Sequence, residues 1–379
     1  MKRRGILGLA LGAAARTLIG AGDASACGDG ADYEEEEIID LAVSPTEQAR
    51  ELSLFVVPQS DAPTNRRFTT TPDGNRICYA DRRAQSFVSD SVNGGSVLFA
   101  APYGGIPRFG RDGRTLYLQV NRGDAYTKLV LANPRTGATE VWDDFFEAEP
   151  FAVAPGGVVV AHGVPSGGAL SWVTGAARTT EVVRTPEIPK HVSVKGGKVA
   201  YFLGGEAFAL ELGEAAAPHA LGALPEPATG AVLTDDGLVA TSERGAWLLR
   251  EGQKPRLLFA ARGLAEPFTH AHTLVVHGAY GARFGRADAL QVLEAPHGNL
   301  HFVGHDAGPG RFLLCRGPRV EGYDVTSRRV STLARGREGW KLRGAARFGS
   351  NVVTWSSRTW RLVQNERQAL PPPADFLLE

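Results

Sequence analysis

Between Pro107 and Trp142 apolar and polar positions alternate in short runs, each closed by turn residues. Leu116, Leu118 and Val120 alternate with Thr115, Tyr117 and Gln119, the two-residue period of a strand. The stretch predicts four short strands over 107–110, 115–120, 126–132 and 138–142. The turns between them are Arg111-Asp112-Gly113, Asn121-Arg122-Gly123-Asp124 and Asn133-Pro134-Arg135-Thr136-Gly137. Asp-Gly ahead of an alternating run is a hairpin signal, because glycine takes positive φ without steric cost. One such unit cannot bury both of its faces, so it needs copies of itself.

The copies follow along the chain. Turns equivalent to Asp112-Gly113 occur at Asp73-Gly74, Gly156-Gly157, Gly196-Gly197 and Asp236-Gly237. Their second residues, 74, 113, 157, 197 and 237, are spaced by 39, 44, 40 and 40. Each turn precedes a β-rich run (77–80, 158–162, 199–203, 238–241), and most runs lead into a second hairpin. The register continues through His272–His277, Arg311–Arg316 and Val352–Trp355. There are eight registers, or seven if 264–310 is one elaborated unit. A four-stranded unit of about 40 residues repeated in this way predicts an all-β fold, a single β-propeller of seven or eight blades.

Two units, Phe68–Ala80 (FTTTPDGNRICYA) and Pro107–Val120 (PRFGRDGRTLYLQV), resemble the repeat of TolB-like propellers. In that family a Pro, an aromatic and a Ser-Pro-Asp-Gly turn precede a hydrophobic strand. The first unit keeps Pro72-Asp73-Gly74; the second keeps Pro107, Phe109 and Asp112-Gly113, with Arg111 in place of Pro. Later units keep only the turn glycines. The resemblance implies a frequently exported propeller that binds proteins or small ligands, and it implies no single activity.

Composition narrows the function classes. Lys plus Arg and Asp plus Glu are 41 each, with no net charge, so the basic excess of a nucleic-acid binder is missing. No uninterrupted apolar stretch reaches 18 residues, and no transmembrane segment is expected. Residues 1–26 have the layout of an export signal: Lys2, Arg3 and Arg4, a Gly/Ala/Leu segment, then Ala24-Ser25-Ala26. Cys27 follows as a lipidation candidate and possible anchor point. The expected location is the periplasm, the cell envelope or outside the cell. Glu34–Glu37 within 27–52 reads as a solvated acidic linker, with a short helix from Ser44-Pro45-Thr46-Glu47 to about Leu52. The propeller is expected over 53–370 and a tail over 371–379.

Candidate chemistry is sparse. The leads into the repeat turns carry Arg67, Arg108, His191, His270, His301 and Arg347. In a propeller these lie near the channel, where a cationic ring would suit a carboxylate-bearing peptide or an acidic sugar; the alternative is that each caps or pairs locally. Six of nine histidines lie between His270 and His305. On one strand His270 and His272 would share a side, and with His301 they give an alternative metal set for a hydrolase or lyase. No Gly-x-Ser-x-Gly and no phosphate-binding loop occur, so no catalytic residue and no cofactor is assigned. Cys78 and Cys315, in apolar strands, are expected to be buried inert thiols. The reading is a non-catalytic module whose partner, a protein or small molecule, docks on the propeller face.

Ring closure is expected from an N-terminal strand. Ser53–Val57 is predicted to pair, as an outer strand, with the final blade containing strands Val352–Trp355 and Trp360–Val363, so that removing 1–42 is harmless and removing 1–60 is not.

Overall fold

In the computed structural model the described residues are 33–42, 68–71, 73–80, 86–90, 96–101, 106–110, 112–121, 125–134, 136, 138–213, 217–335, 341–348, 351–363 and 366–369. Among them every regular element is a strand, and neighbouring strands pair antiparallel. Four-stranded sheets span 68–101, 190–223, 230–260, 268–294 and 300–335 in simple sequence order. The 106–146 and 152–185 strands form two further sets of four, bridged at Gly163–Phe146 into one eight-stranded sheet. The last sheet holds Lys341–Phe348, Asn351–Val363, Glu366–Ala369 and, from the other end of the chain, Tyr33–Ala42.

The predicted strands of the 107–142 stretch are found as Ile106–Phe109, Leu116–Asn121, Tyr126–Ala132 and Thr139–Phe146. The 264–310 region is not one irregular unit. It holds a complete sheet, Phe268–His270, Thr273–Gly278, Gly281–Arg286 and Ala289–Glu294, and the first strand of the next, Leu300–His305.

Turn chemistry explains why the Asp-Gly units repeat. Thr71 N–H donates to Arg76 O, and Gly110 N–H donates to Thr115 O, closing six-residue turns. Inside each, aspartate Oδ1 accepts a backbone N–H two residues on: Asn75 to Asp73 at 3.0 Å and Arg114 to Asp112 at 2.9 Å. Gly74 and Gly113 follow at φ 70° and 62°, where a Cβ is disfavoured. Asp306 N–H donating to Arg311 O repeats the geometry with a sequence, DAGPGR, that hides the likeness. Near Gly237 the turn falls one residue earlier than expected: Thr234 pairs with Gly237, and Asp235-Asp236 connect them.

The core lies between sheets. Cys78 packs with Phe109, Leu116 and Val130; Tyr117 and Trp142 with Val158 and Val173; Val159 and Leu170 with Val199 and Tyr201. Phe202 meets Leu233 and Leu238, and Val239 and Leu248 meet Leu274. Phe284 then meets Phe312, and Leu313 meets Leu342 and Val352. Each cluster joins two consecutive sheets, so alternate residues of one strand serve two interfaces. At the seam, Gly74 of the 68–101 sheet lies against Arg347 of the last sheet.

Three expectations meet the terminal segments differently. Arg67, Cys27, the 44–52 helix and the Ser53–Val57 strand lie outside the described residues. The strand paired with the end of the chain is Tyr33–Ala42, in register from Tyr33–Arg361 to Ala42–Val352, within the segment read as an acidic linker. The two short strands expected at 352–355 and 360–363 are one, Asn351–Val363.

Candidate functional site

Three of the residues leading into the repeat turns, His191, His270 and Arg347, serve the joints between sheets. His191 Nε2–H donates to Ala228 O at 3.0 Å, and the His270 Nε2–H donates to Gly308 O at 3.1 Å; a carbonyl only accepts, which fixes both hydrogens on Nε2. Arg347 forks onto Asp306, Nε to Oδ1 at 2.6 Å and Nη2 to Oδ2 at 2.7 Å. In each case the partner lies in the neighbouring sheet about one repeat away. Arg108 Nη1 donates to Pro107 O at 3.0 Å, and His301 is half-buried in the first strand of its sheet.

The histidine cluster does not assemble a metal site. Phe268–His270 ends at His270, and Ala271-His272 form a two-residue turn, both at positive φ, before Thr273 pairs back with His270. The expected strand alternation therefore does not hold. His270 is directed to the following sheet, and His272 Nδ1 to Asp235 of the preceding one at 3.2 Å. Among the described residues no group of three His, Cys, Asp or Glu could hold a metal ion. His270 instead stacks on His305, with centroids 4.9 Å apart. Burial pushes His305 down to about 4, with the His270 charge adding and Asp306 opposing; burial alone does the same for His277. Cys78 and Cys315 are fully buried, and burial pushes both thiols far up, as expected of inert thiols.

One pair with reactive geometry was not anticipated. Ser171 Oγ lies 2.8 Å from His162 Nε2, and His162 Nδ1 lies 3.1 Å from Gly163 O. The carbonyl fixes the hydrogen on Nδ1, so Nε2 accepts the serine proton, and burial pulls His162 toward its neutral form. This is the contact of a nucleophile with its base. Ser171, however, is buried in a strand paired on both sides, opposite Val160 and Glu181. Its backbone surroundings belong to the ladder, and an oxyanion hole needs N–H groups that do not. The pair is two strand positions off register across the Pro165-Ser166 hairpin, a spacing with no motif in the sequence.

Exposed aromatics in two separate sheets occupy the same end of the strands. Tyr280, 73% exposed, sits in the turn between the second and third strands of its sheet. Tyr126 opens a third strand and Phe146 closes a fourth, and their rings meet edge to face at 5.4 Å. In a four-stranded meander these positions fall at the same end. The opposite end carries the turn aspartates Asp73, Asp112, Asp235 and Asp236.

No protein-family profile matches the chain, and no curated protein matches it in sequence. Solved structures do match. The C-terminal WD40 domain of Sif2 superposes with TM-score 0.53 at 12% identity, over 87% of this chain and 99% of that one. The computationally designed Ika8 protein gives 0.51 at 10% identity, over 74% and 93%. The fold is a β-propeller. A structure from work on two prolyl endopeptidases gives 0.51 at 11% identity, over 78% of this chain and 54% of that one, so the propeller spans about half of that protein's length. No helix among the described residues of the propeller is long and apolar enough to cross a membrane.

Proposed function

We propose that the chain is an eight-bladed TolB-like propeller, exported to the periplasm or cell envelope, that works as a non-catalytic scaffold. Eight successive four-stranded units support the blade count, with the terminal strand Tyr33–Ala42 completing the last. The observation that carries the scaffold reading is the use of the polar residues at the joints. His191, His270 and Arg347 bond to the neighbouring blade, which builds a rigid ring. The face at which the second strands end, with Tyr280, Tyr126 and Phe146, is the docking surface. Exposed aromatics of this kind anchor protein partners.

The test has two arms. Protein recovered from the producing cell should start at Cys27 and fractionate with the envelope; cytoplasmic protein retaining residues 1–26 ends the export claim. Cross-linking in the cell should trap one discrete partner for the wild type, and Tyr280→Ala with Phe146→Ser should abolish that band. An unchanged band moves the docking surface elsewhere. More than about half an equivalent of zinc or manganese after purification, the stoichiometry of a resident ion, would reinstate the metal-enzyme reading.

A further inference from the structure

Three arginines line up across the 300–335 sheet. Arg316 ends its second strand, Arg319 opens the third and Arg335 closes the fourth. Arg316 pairs with Arg319 around Gly317-Pro318, and Arg319 pairs with Arg335. Residues directly opposite in an antiparallel ladder share a face about 5 Å apart, and like charges there are destabilising. Arg319 and Arg335 are exposed, and no ion pair involves either among the described residues. Packing gives no reason for this row.

Arg316 supplies the second observation. Its side chain is three-quarters buried, and its Nε and Nη2 have no hydrogen-bond partner. Those two atoms form the flat edge by which Arg347 grips Asp306 and Arg184 grips Glu181. In Arg316 that edge is covered by the protein and makes no hydrogen bond. Glu321 forms a loose ion pair with Arg316, Oε2 to Nη1 at 3.6 Å, beyond hydrogen-bond reach, and that Oε2 is itself buried without a hydrogen-bond partner. A buried donor edge left unmade is unfavourable, and an oxyanion is the group whose geometry fits it.

We propose that Arg316, Arg319 and Arg335 form a binding site for a dianionic oxyanion, a phosphate ester or its inorganic equivalent. Among the described residues three guanidinium groups against one carboxylate leave a local excess of two positive charges, which a dianion neutralises and a single carboxylate does not. Arg316 turns its buried fork outward onto the ligand, and Arg319 and Arg335 close on it from the solvent side. A bound dianion also turns the like-charge row from a repulsion into a shared attraction. The site spans the second to fourth strands of one blade at the end where the second strand turns into the third, and it does not depend on the scaffold reading.

The test uses the full chain and inorganic phosphate at constant ionic strength, with acetate as the monoanion control. Calorimetric titration and thermal melting should show saturable phosphate binding with a rise in melting temperature, and a weaker response to acetate. Arg319→Ala/Arg335→Ala, two exposed positions, should weaken phosphate binding by tenfold or more. Without phosphate that variant should melt no lower than wild type, because a repulsion is removed. An equal phosphate response in variant and wild type overturns the proposal, as does no saturable response in the wild type. A lower melting point for the phosphate-free variant would make the row structural and equally overturn it.

Discussion

Asp306 and Arg347 form a two-point ion pair across neighbouring blades, with both side chains mostly buried at 9% and 17% exposure. Asp306 belongs to a repeat turn, where its Oδ1 also accepts Ala307 N–H at 2.7 Å. Arg347 in turn lies under Gly74 of the first blade, where an added Cβ would come within 2.9 Å of its Cγ. One side chain therefore touches both neighbours of the seam. Arg347→Ala leaves a buried carboxylate without its partner and should lower stability by about 3–5 kcal/mol. The double change Asp306→Leu with Arg347→Met should be milder than Arg347→Ala alone. Urea unfolding of the three proteins decides, and equal losses for the single and double variants would contradict the coupling.

Acid should destabilise the protein before its carboxylates titrate. His277 and His305 are held at about 4 in the fold, chiefly by burial, against about 6.5 in an unfolded chain. Between those values the unfolded state binds more protons, so stability is full above pH 6.5 and falls as pH drops toward 4. The loss is at most roughly 3 kcal/mol per histidine. Asp235 is held low mainly by its bond from Lys195, and Asp324 by Ser327 N–H. For such depressed carboxylates the contribution is present above the ordinary carboxylate range and is lost below it, in a separate, more acidic window. A urea midpoint unchanged between pH 7.5 and 4.5 would contradict the histidine assignment, and His277→Leu should shrink the drop.

The repeats were legible because each turn carries its own signal. Asp73-Gly74 and Asp112-Gly113 combine a side-chain acceptor with a residue tolerant of positive φ, and alternation resumes at once behind them. What failed was chemistry that depends on which strand a residue belongs to. His270 and His272 look like strand neighbours because Ala271-His272 has none of the Asn or Gly that normally marks a two-residue turn. The His162–Ser171 contact and the Arg316–Arg319–Arg335 row exist only once the hairpin registers are set, and a linear spacing does not encode them. Tyr33–Ala42 was missed because four successive glutamates argue against a strand by composition, whereas the pairing with Asn351–Val363 is long-range.

The Ala271-His272 turn offers a direct gain in stability. Both residues sit at positive φ, 44° and 68°, a conformation that disfavours a Cβ by roughly 1–2 kcal/mol. Asn tolerates it better, so Ala271→Asn should raise stability by about 0.5–1 kcal/mol. His272 is left in place because it bonds to Asp235. A variant that melts below wild type would contradict the turn assignment.

Close approach rather than conformation constrains Gly168. A Cβ there would lie 2.3 Å from Glu187 O and 2.5 Å from Ile188 Cα, all backbone. Gly168→Ala must displace the connection leading to the next blade, at a cost of about 1–3 kcal/mol. Gly175→Ala is the control, since its nearest neighbour is the flexible Arg178 Cδ at 3.3 Å. Thermal melts should separate the two, and equal melting points would show that the 185–190 connection yields freely.

The last prediction concerns what closes the ring. Tyr33–Ala42 runs antiparallel to Asn351–Val363 over ten consecutive register pairs, and Asn351–Val363 is paired on its other side with Lys341–Phe348. Removing Tyr33–Ala42 would strip one whole side of that strand of its ladder and leave its N–H and C=O groups unmatched. The effect should be largest near Val352 and Thr354, which are buried and sit opposite Ala42 and Asp40. Deletion of residues 1–32 should therefore leave the melting temperature unchanged, whereas deletion of 1–42 should lower it and promote association through the bared edge. This reverses the expectation drawn from the sequence, in which 1–42 was dispensable. Melting and light scattering of the two truncations decide between them: equal behaviour of both would mean that the ring closes without Tyr33–Ala42.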